Sequence, residues 1–318
     1  MIRLTLSVAL TIGTPALAFA QPAKSVKVTV LSTMLAGNPN GGIGEWGFAA
    51  LVEVDGRRLL VDTGARPETV LKNAAELKVD LSDVTDVVLT HNHLDHTGGL
   101  VTLRQELSKK NPRALSRAHV GKGIFAARPA PDGSDGNGLS RFKTAFEGLG
   151  GAFTEHSGPV EILPGVWLTG PVPRVHPERN WGGVGQVKTG DGLVEDTIPE
   201  DSSIVIATQD GLVVVSGCGH AGMINTLEYA RKVAGGAQVL AAIGGFHLFA
   251  ASDATLEWTA GRLRATGLRH LLGAHCTGID AVYRLRSLLA LSRESAVVGA
   301  VGSTYTVGKG IDPLLLAR

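Results

Sequence analysis

Residues 89–100 read LTHNHLDHTGGL and place three of the chain's ten histidines, with one aspartate, inside six positions. His91, His93, Asp95 and His96 cannot all face one way on a regular helix or strand. A loop can turn them inward together, and the usual reason to do so is a metal ion. Imidazole nitrogen and carboxylate oxygen are borderline donors that suit zinc, and also iron or manganese. His91 and His93 alternate with Asn92 and can converge on one ion. Asp95 and His96, offset by a turn, can reach a second ion nearby. Two neighbouring ions can share a water, lower its pKa toward neutrality and clamp the attacking and departing oxygens.

Each ion needs more ligands than this loop supplies. His220 in SGCGHAG and His275 in GAHCTG each follow an apolar strand and are the expected additional ligands. His247 in GGFHLF has a similar place and is expected as a substrate contact or proton donor, with loop ordering as the alternative. His176 in PVPRVHPERN is a candidate substitute ligand, although a loop histidine beside proline is more often simply solvated. The chain has two cysteines, Cys218 and Cys276, each within two residues of one of these histidines. Two cysteines make no disulfide scaffold. Their positions predict that they sit near one another at the site, bonded or not.

The elements that must position these residues alternate strands and helices. VKVTVLST reads as a strand, and AALVEVDGRRLLVDTG as a hairpin turned at Asp55-Gly56. RPETVLKNAAELKVD has helical spacing, with Val70, Leu71, Ala74, Ala75 and Leu77 able to share one side. DVVLT follows as a short buried strand and runs into the histidine loop, so the cluster lies at a strand's carboxyl end, where open α/β sheets bind ligands. The pattern returns in the second half. SSIVIATQDGLVVVSG is a hairpin turned at Asp210-Gly211, followed by CGHAG and a helix from about Met223 to Val233. QVLAAIGG and RHLLGAHCTG each end in a histidine-bearing loop. RPAPDGSDGNG and NWGGVGQVKTGDG, rich in Gly, Pro and Asp, are expected as loops, either lids over a pocket or plain connections. Two such halves predict an α/β fold of two packed sheets with helices outside.

The first twenty residues, MIRLTLSVALTIGTPALAFA, have Arg3 near the start, an apolar run and an Ala18-Phe19-Ala20 ending. That layout predicts a secretory signal over 1–20, with residues 21–318 forming one domain of two αβ halves in the periplasm or outside the cell. The alternative, an uncleaved anchor, is disfavoured by a short run containing Pro15. Removing Arg3 lowers the Lys and Arg count from 30 to 29, against 29 Asp and Glu. A neutral chain without basic runs excludes a nucleic-acid surface. No later stretch reads as a membrane span. The oligomeric state is not written in the sequence.

HNHLDH, preceded by VDTG and followed by distant strand-end histidines, resembles the metallo-β-lactamase superfamily. SGCGHAG, GGFHL and HCTG are similar to its branch of dihydropterin/β-ribofuranosylaminobenzene phosphate synthase-like hydrolases. The resemblance spans nearly all of the chain after residue 20. It implies a four-layer αββα sandwich with two metals at one edge. His91, His93 and His220 would then hold the first metal, and Asp95, His96 and His275 the second. Asp62 of VDTG would order the metal loops rather than bind. Many members place a metal-bridging aspartate after a strand reading like TGD. Here the matching stretch reads SGC, so Cys218 stands at that position and could ligate as a thiolate.

LLVDTGA is also the pattern of an aspartic protease, whose paired aspartates share a proton. A single such triad would need a homodimer and would leave the strand-end histidines unexplained. No G-x-S-x-G elbow or phosphate-cradling Gly-Lys-Ser/Thr motif is present. The expectation is therefore an exported hydrolase binding two zinc ions per chain, with manganese or iron as alternatives. A metal-bound hydroxide oriented by Asp95 would attack an ester, lactone or phosphoester of a small molecule. Two other classes fit the same residues: an iron-dependent oxidoreductase, and a non-catalytic metal- or ligand-binding protein.

Overall fold

The computed structural model describes residues 21–180 and 185–317, so the expected leader at 1–20 lies outside the described residues. The first half runs β1 (Val26–Ser32), β2 (Ala49–Val54), β3 (Arg57–Val61), α1 (Thr69–Glu76), β4 (Asp86–Leu89), α2 (Leu94–Thr97), α3 (Leu100–Ser108), β5 (Arg117–Gly121), α4 (Gly138–Gly148) and β6 (Ala152–His156). The chain then crosses through β7 (Val160–Leu163), β8 (Val166–Leu168), β9 (Gln186–Thr189) and β10 (Gly192–Glu195). The second half follows with β11 (Ser203–Thr208), β12 (Gly211–Ser216), α5 (Met223–Val233), β13 (Val239–Gly244), α6 (Asp253–Thr266), β14 (His270–Gly273), α7 (Ile279–Leu288) and β15 (Ala296–Val298). Strands β16 (Thr304–Thr306) and β17 (Gly310–Asp312) return to the first sheet.

Among the described residues one sheet orders β17-β16-β1-β2-β3-β4-β5-β6 and the other β15-β14-β13-β12-β11-β8-β7. Strand residues alternate between two apolar environments, because each sheet is covered on both faces. Val28, Val52, Leu59 and Val61 meet Ile204, Val213, Val215 and Ile243 in the core between the sheets. Leu51, Leu60, Val87 and Leu89 point the other way, onto residues of α1, α3 and α4. Val205, Val214 and Ala242 pack likewise against α5, α6 and α7. This is the αββα sandwich. Each fully buried Val or Leu side chain contributes roughly 1.5–3 kcal/mol, largely offset by conformational entropy.

The Asp55-Gly56 turn is as expected, with φ of 47° and 79° at its two central residues, which suits the twist of a two-residue hairpin. Helix α1 differs in its inward face. Ala75 is exposed, and the buried position goes to Asn73, whose amide donates to the carbonyls of Leu31 (2.8 Å) and Ile43 (3.0 Å). An asparagine with its bonds satisfied is buried without penalty, which a count of apolar residues cannot register. The stretch 180–192, expected as a loop, contributes β9, which pairs with β10 as a separate two-stranded ribbon.

Strands β3 to β6 run parallel, as do β12 to β15. The carboxyl ends of β3, β4, β12, β13 and β14 lead into Asp62, His91, Cys218, His247 and His275 respectively. No helix among the described residues is long and apolar enough to cross a membrane.

Candidate metal centre

After Leu89 the backbone turns through Thr90 to His93, and α2 begins at Leu94. The extended turn carries His91 and His93. The short helix carries Asp95 and His96 on its first turn. Donor atoms of His91, His93 and His220 lie within 4.8 Å of one another, and so do those of Asp95, His96 and His275. The two triads adjoin. His96 Nε2 is 3.2 Å from His275 Nε2, and Asp95 Oδ2 is 3.3 Å from His275 Nε2. The expected residues of both halves are thus brought to one edge of the sandwich.

A hydrogen-bond chain fixes which nitrogen faces the cluster. Asp62 accepts from the Thr90 amide (2.8 Å), the Thr90 hydroxyl (2.8 Å) and His96 Nδ1 (2.7 Å). The Thr90 hydroxyl, having donated to Asp62, accepts from His91 Nδ1 at 3.1 Å. His220 Nδ1 donates to the Asn180 carbonyl at 2.7 Å. An ionised carboxylate and a carbonyl only accept, so His96 and His220 carry their protons on Nδ1 and turn Nε2 lone pairs inward. His91 Nε2 and His220 Nε2 are buried and have no hydrogen-bond partner among the described residues. Buried, unpartnered lone pairs converging from several elements fit a cation and little else.

The electrostatics agree. Burial, with the crowding of neighbouring imidazoles, holds His91 and His220 well below the ordinary imidazole range. Burial takes His93 down to about 4. These rings stay neutral at physiological pH and available as donors. Burial pushes Asp95 up, but His96, His275 and His93 outweigh it and hold the carboxylate ionised. His275 goes the other way. Burial lowers it, yet its contacts with Cys276 and Asp95 carry it up to about 10.

Close approach of the two halves depends on glycine. A Cβ on Gly217 would overlap the Thr90 hydroxyl and the Asp62 carboxylate, and one on Gly222 (φ 106°) would overlap Glu178. Glu178 accepts from the Ile224 (3.0 Å) and Asn225 (2.7 Å) amides at the start of α5, completing the helix end that holds the His220 loop. Arg174 donates to the His220 carbonyl at 2.6 Å. Asp62, His247 and His275 adopt left-handed backbone at φ 57°, 46° and 47°. Each such non-glycine residue costs about 1–3 kcal/mol and persists only where its surroundings over-determine it. For His275 the Thr33 hydroxyl accepts the peptide N–H at 2.9 Å, and for His247 the Cys276 sulfur does so at 3.3 Å.

Cys218 and Cys276 lie at the cluster as their positions predicted, with sulfurs 2.9 Å apart and not joined. His176 does not join it. Its Nε2 lies 2.7 Å from the Glu228 carboxylate and 3.0 Å from the Arg262 guanidinium, beside Trp258, in a surface ion-pair network that occupies the ring. The metal edge opens into a cavity of about 360 Å³ lined by Trp46, His93, Asp95, Asp196, His247 and Phe249 among others. A groove of about 760 Å³ continues past His247 and Phe249 to Leu248, Arg179 and Trp258. Trp46 packs on the His275 ring at 4.8 Å and on Phe249 at 5.4 Å. Trp46, Asn180, Asp196 and Phe249 were not legible as site residues. Only Phe249, two positions from His247, carried a local signal.

The sequence profile of the metallo-beta-lactamase superfamily matches residues 47–218, more than half of the chain. The chain belongs to the metallo-β-lactamase superfamily, whose members generally bind divalent metals. It is 29% identical over 265 residues to the 7,8-dihydropterin-6-methyl-4-(beta-D-ribofuranosyl)-aminobenzene-5'-phosphate synthase of Methanocaldococcus jannaschii, covering 81% of this chain and 89% of that one. Among solved structures it is similar to a metal-dependent hydrolase of the β-lactamase superfamily, at a TM-score of 0.69 and 25% identity, over 88% of this chain and 98% of the other. The zinc-bound PqqB of Methylobacterium extorquens shares the fold at a TM-score of 0.54 and 15% identity, over 87% and 99%.

Proposed function

We propose that this chain is an exported metal-dependent hydrolase of a small molecule, cleaving an ester, lactone or phosphoester bond at a site for two divalent ions. The observation that carries the reading is the pair of adjoining donor triads, His91–His93–His220 and Asp95–His96–His275, opening on a cavity. The nitrogen-rich donor set suits zinc. When bound, such ions supply a water of lowered pKa and stabilise negative charge developing on the substrate. The chain's own groups do the remaining work. Asp95, partly open to the cavity, orients the attacking water by accepting its proton contact. His247 lines the same cavity, its ring 4.6 Å from that of His220 and 5.1 Å from that of Phe249, where it can protonate the leaving group or bind substrate. Trp46 and Phe249, both half exposed, line the mouth and offer apolar surface to a substrate. The groove beyond them supports a substrate with an apolar or aromatic arm.

The synthase reaction of the M. jannaschii relative is not carried over, because one fold hosts many substrates and the leader-like residues 1–20 speak for export. The test is a panel of ester, lactone and phosphodiester substrates assayed with chelator-stripped and zinc-restored protein. Turnover that appears only on restoration and disappears in His220→Ala supports the reading. Turnover indifferent to metal removal sinks the hydrolase mechanism. Iron as the resident metal, with no hydrolysis, favours the oxidoreductase. An Asp95→Ala enzyme with unchanged kcat sinks the role given to Asp95, and an unaltered pH–rate profile and KM in His247→Ala sinks that of His247. Amino-terminal sequencing of the exported chain should begin at Gln21.

A further inference from the structure

We propose that the sulfur of Cys218 is a bridging ligand shared by the two triads, so that a thiolate holds this chain's metal pair together. The inference rests on the metal-centre reading above and adds a donor to it. Outside the triads, and among the described residues, His247 and Cys276 each enter a donor group with a member of one triad: His247 with His220, Cys276 with His275. Cys218 alone reaches both. Its sulfur groups with His91 and His96, with His220 and His247, and with His275 and Cys276. It therefore stands between the ions rather than beside one of them.

Charge and hydrogen bonding favour the same assignment. Two divalent ions among neutral imidazoles would have Asp95 as the triads' one anion. Uncompensated charge in a buried site is costly. The other acid at the strand ends, Asp62, has both oxygens engaged by Thr90 and His96. Asp201 Oδ2 accepts from the Ala221 amide at 2.8 Å, and Asp201 enters none of the donor groups among the described residues. Cys276 is tied differently from Cys218. Its sulfur accepts the His247 peptide N–H at 3.3 Å and lies 3.6 Å from the Cys218 carbonyl, to which its S–H can donate. Cys218, which groups with donors of both triads, is the ligand, and Cys276 beside it a positioning residue. On binding, the Cys218 S–H bond breaks, its proton leaves to solvent, and the freed sulfur pairs go to the ions; no electrons are transferred.

The experiment is zinc K-edge X-ray absorption on the full, reduced chain loaded with zinc, alongside zinc stoichiometry. A zinc–sulfur shell at about 2.3 Å stands apart from nitrogen and oxygen at about 2.0–2.1 Å. The expected result is one sulfur per zinc at two zincs per chain, as a shared thiolate requires. The shell should be lost in Cys218→Ser and kept in Cys276→Ser. Because the serine variant could lose metal or fold poorly, Cys218→Asp serves as the second variant and should hold two zincs with no sulfur shell. One sulfur for every two zincs would make the thiolate terminal and overturn the bridge. A shell absent from the wild type, or surviving in Cys218→Ser or Cys218→Asp, would overturn Cys218 as ligand. A wild type with two zincs and no sulfur would overturn the bridge while sparing the metal centre. One that binds no zinc would overturn both.

Discussion

Asp62→Asn replaces one atom of a buried carboxylate and should change both triads at once. Asp62 Oδ1 accepts from the Thr90 amide, so the asparagine keeps its oxygen there and presents its NH2 where Oδ2 stood. That position faced two donors, the Thr90 hydroxyl and His96 Nδ1, at 2.8 and 2.7 Å. The NH2 must now donate. His96 Nδ1 becomes the acceptor, and its proton moves to Nε2, the nitrogen that faces His275. The Thr90 hydroxyl, receiving from the amide, turns to donate to His91 Nδ1, which moves that proton to Nε2 as well. Each triad then loses one lone pair.

The fold should suffer modestly. Two bonds to a charged acceptor are exchanged for bonds to a neutral amide, a loss of about 1–3 kcal/mol. Metal binding should suffer more, because losing the partner that orients a ligating imidazole typically weakens affinity by roughly 10–100-fold. Here both sites are affected. Competition titration against a zinc chelator gives the affinities, urea unfolding of the metal-free chains gives the stability difference, and nitrogen NMR of the imidazoles reports the tautomers. A folded Asp62→Asn chain with wild-type zinc affinity at both sites, or with His91 and His96 still protonated on Nδ1, would refute the reasoning.

Gly217→Ala should push Thr90 and Asp62 apart and lower stability by about 1–3 kcal/mol with loss of zinc affinity, read by unfolding and titration; wild-type values for both would contradict it. At the far end of the first sheet, burial pushes Asp86 up, but bonds from His119, Arg117 and Thr85 outweigh it and hold the carboxylate below its usual range. Its stabilisation is therefore present above the unfolded carboxylate pKa of about 3.9 and lost as pH falls below it. Asp86→Asn should cost about 2 kcal/mol at neutral pH, and the gap from wild type should shrink in acid; a pH-independent gap in urea midpoints would rule this out. Trp258→Ala should raise KM several-fold for substrates with an apolar arm, leaving kcat unchanged, by removing about 1 kcal/mol of contact in the groove. An unchanged KM would mean the groove is not used.

Much of this site was legible because its ligands cluster in sequence or follow strands that end together. His91 to His96 declare themselves by spacing alone. His220 and His275 are single residues, marked by the apolar strands before them, and parallel topology then carries those strand ends to one edge. What was not legible depends on contacts across the fold. Asn73 is buried because two distant carbonyls meet it, while Ala75 on the same helix faces out. Asn180 serves His220 through its backbone carbonyl, which has no residue signature. Trp46 and Phe249 meet only when the turn before β2 reaches the loop after β13. His176 turns out neither ligand nor simply solvated, since Glu228 and Arg262 hold its ring, which composition cannot reveal.

The most direct measurement is calorimetric zinc titration of the chelator-stripped, full chain, with His220→Ala and His275→Ala beside it. The account predicts two ions for the wild type. His220→Ala should abolish the site formed with His91 and His93, and His275→Ala the one formed with Asp95 and His96. A wild type that takes up no zinc, or variants that each keep both ions at unchanged affinity, would contradict it.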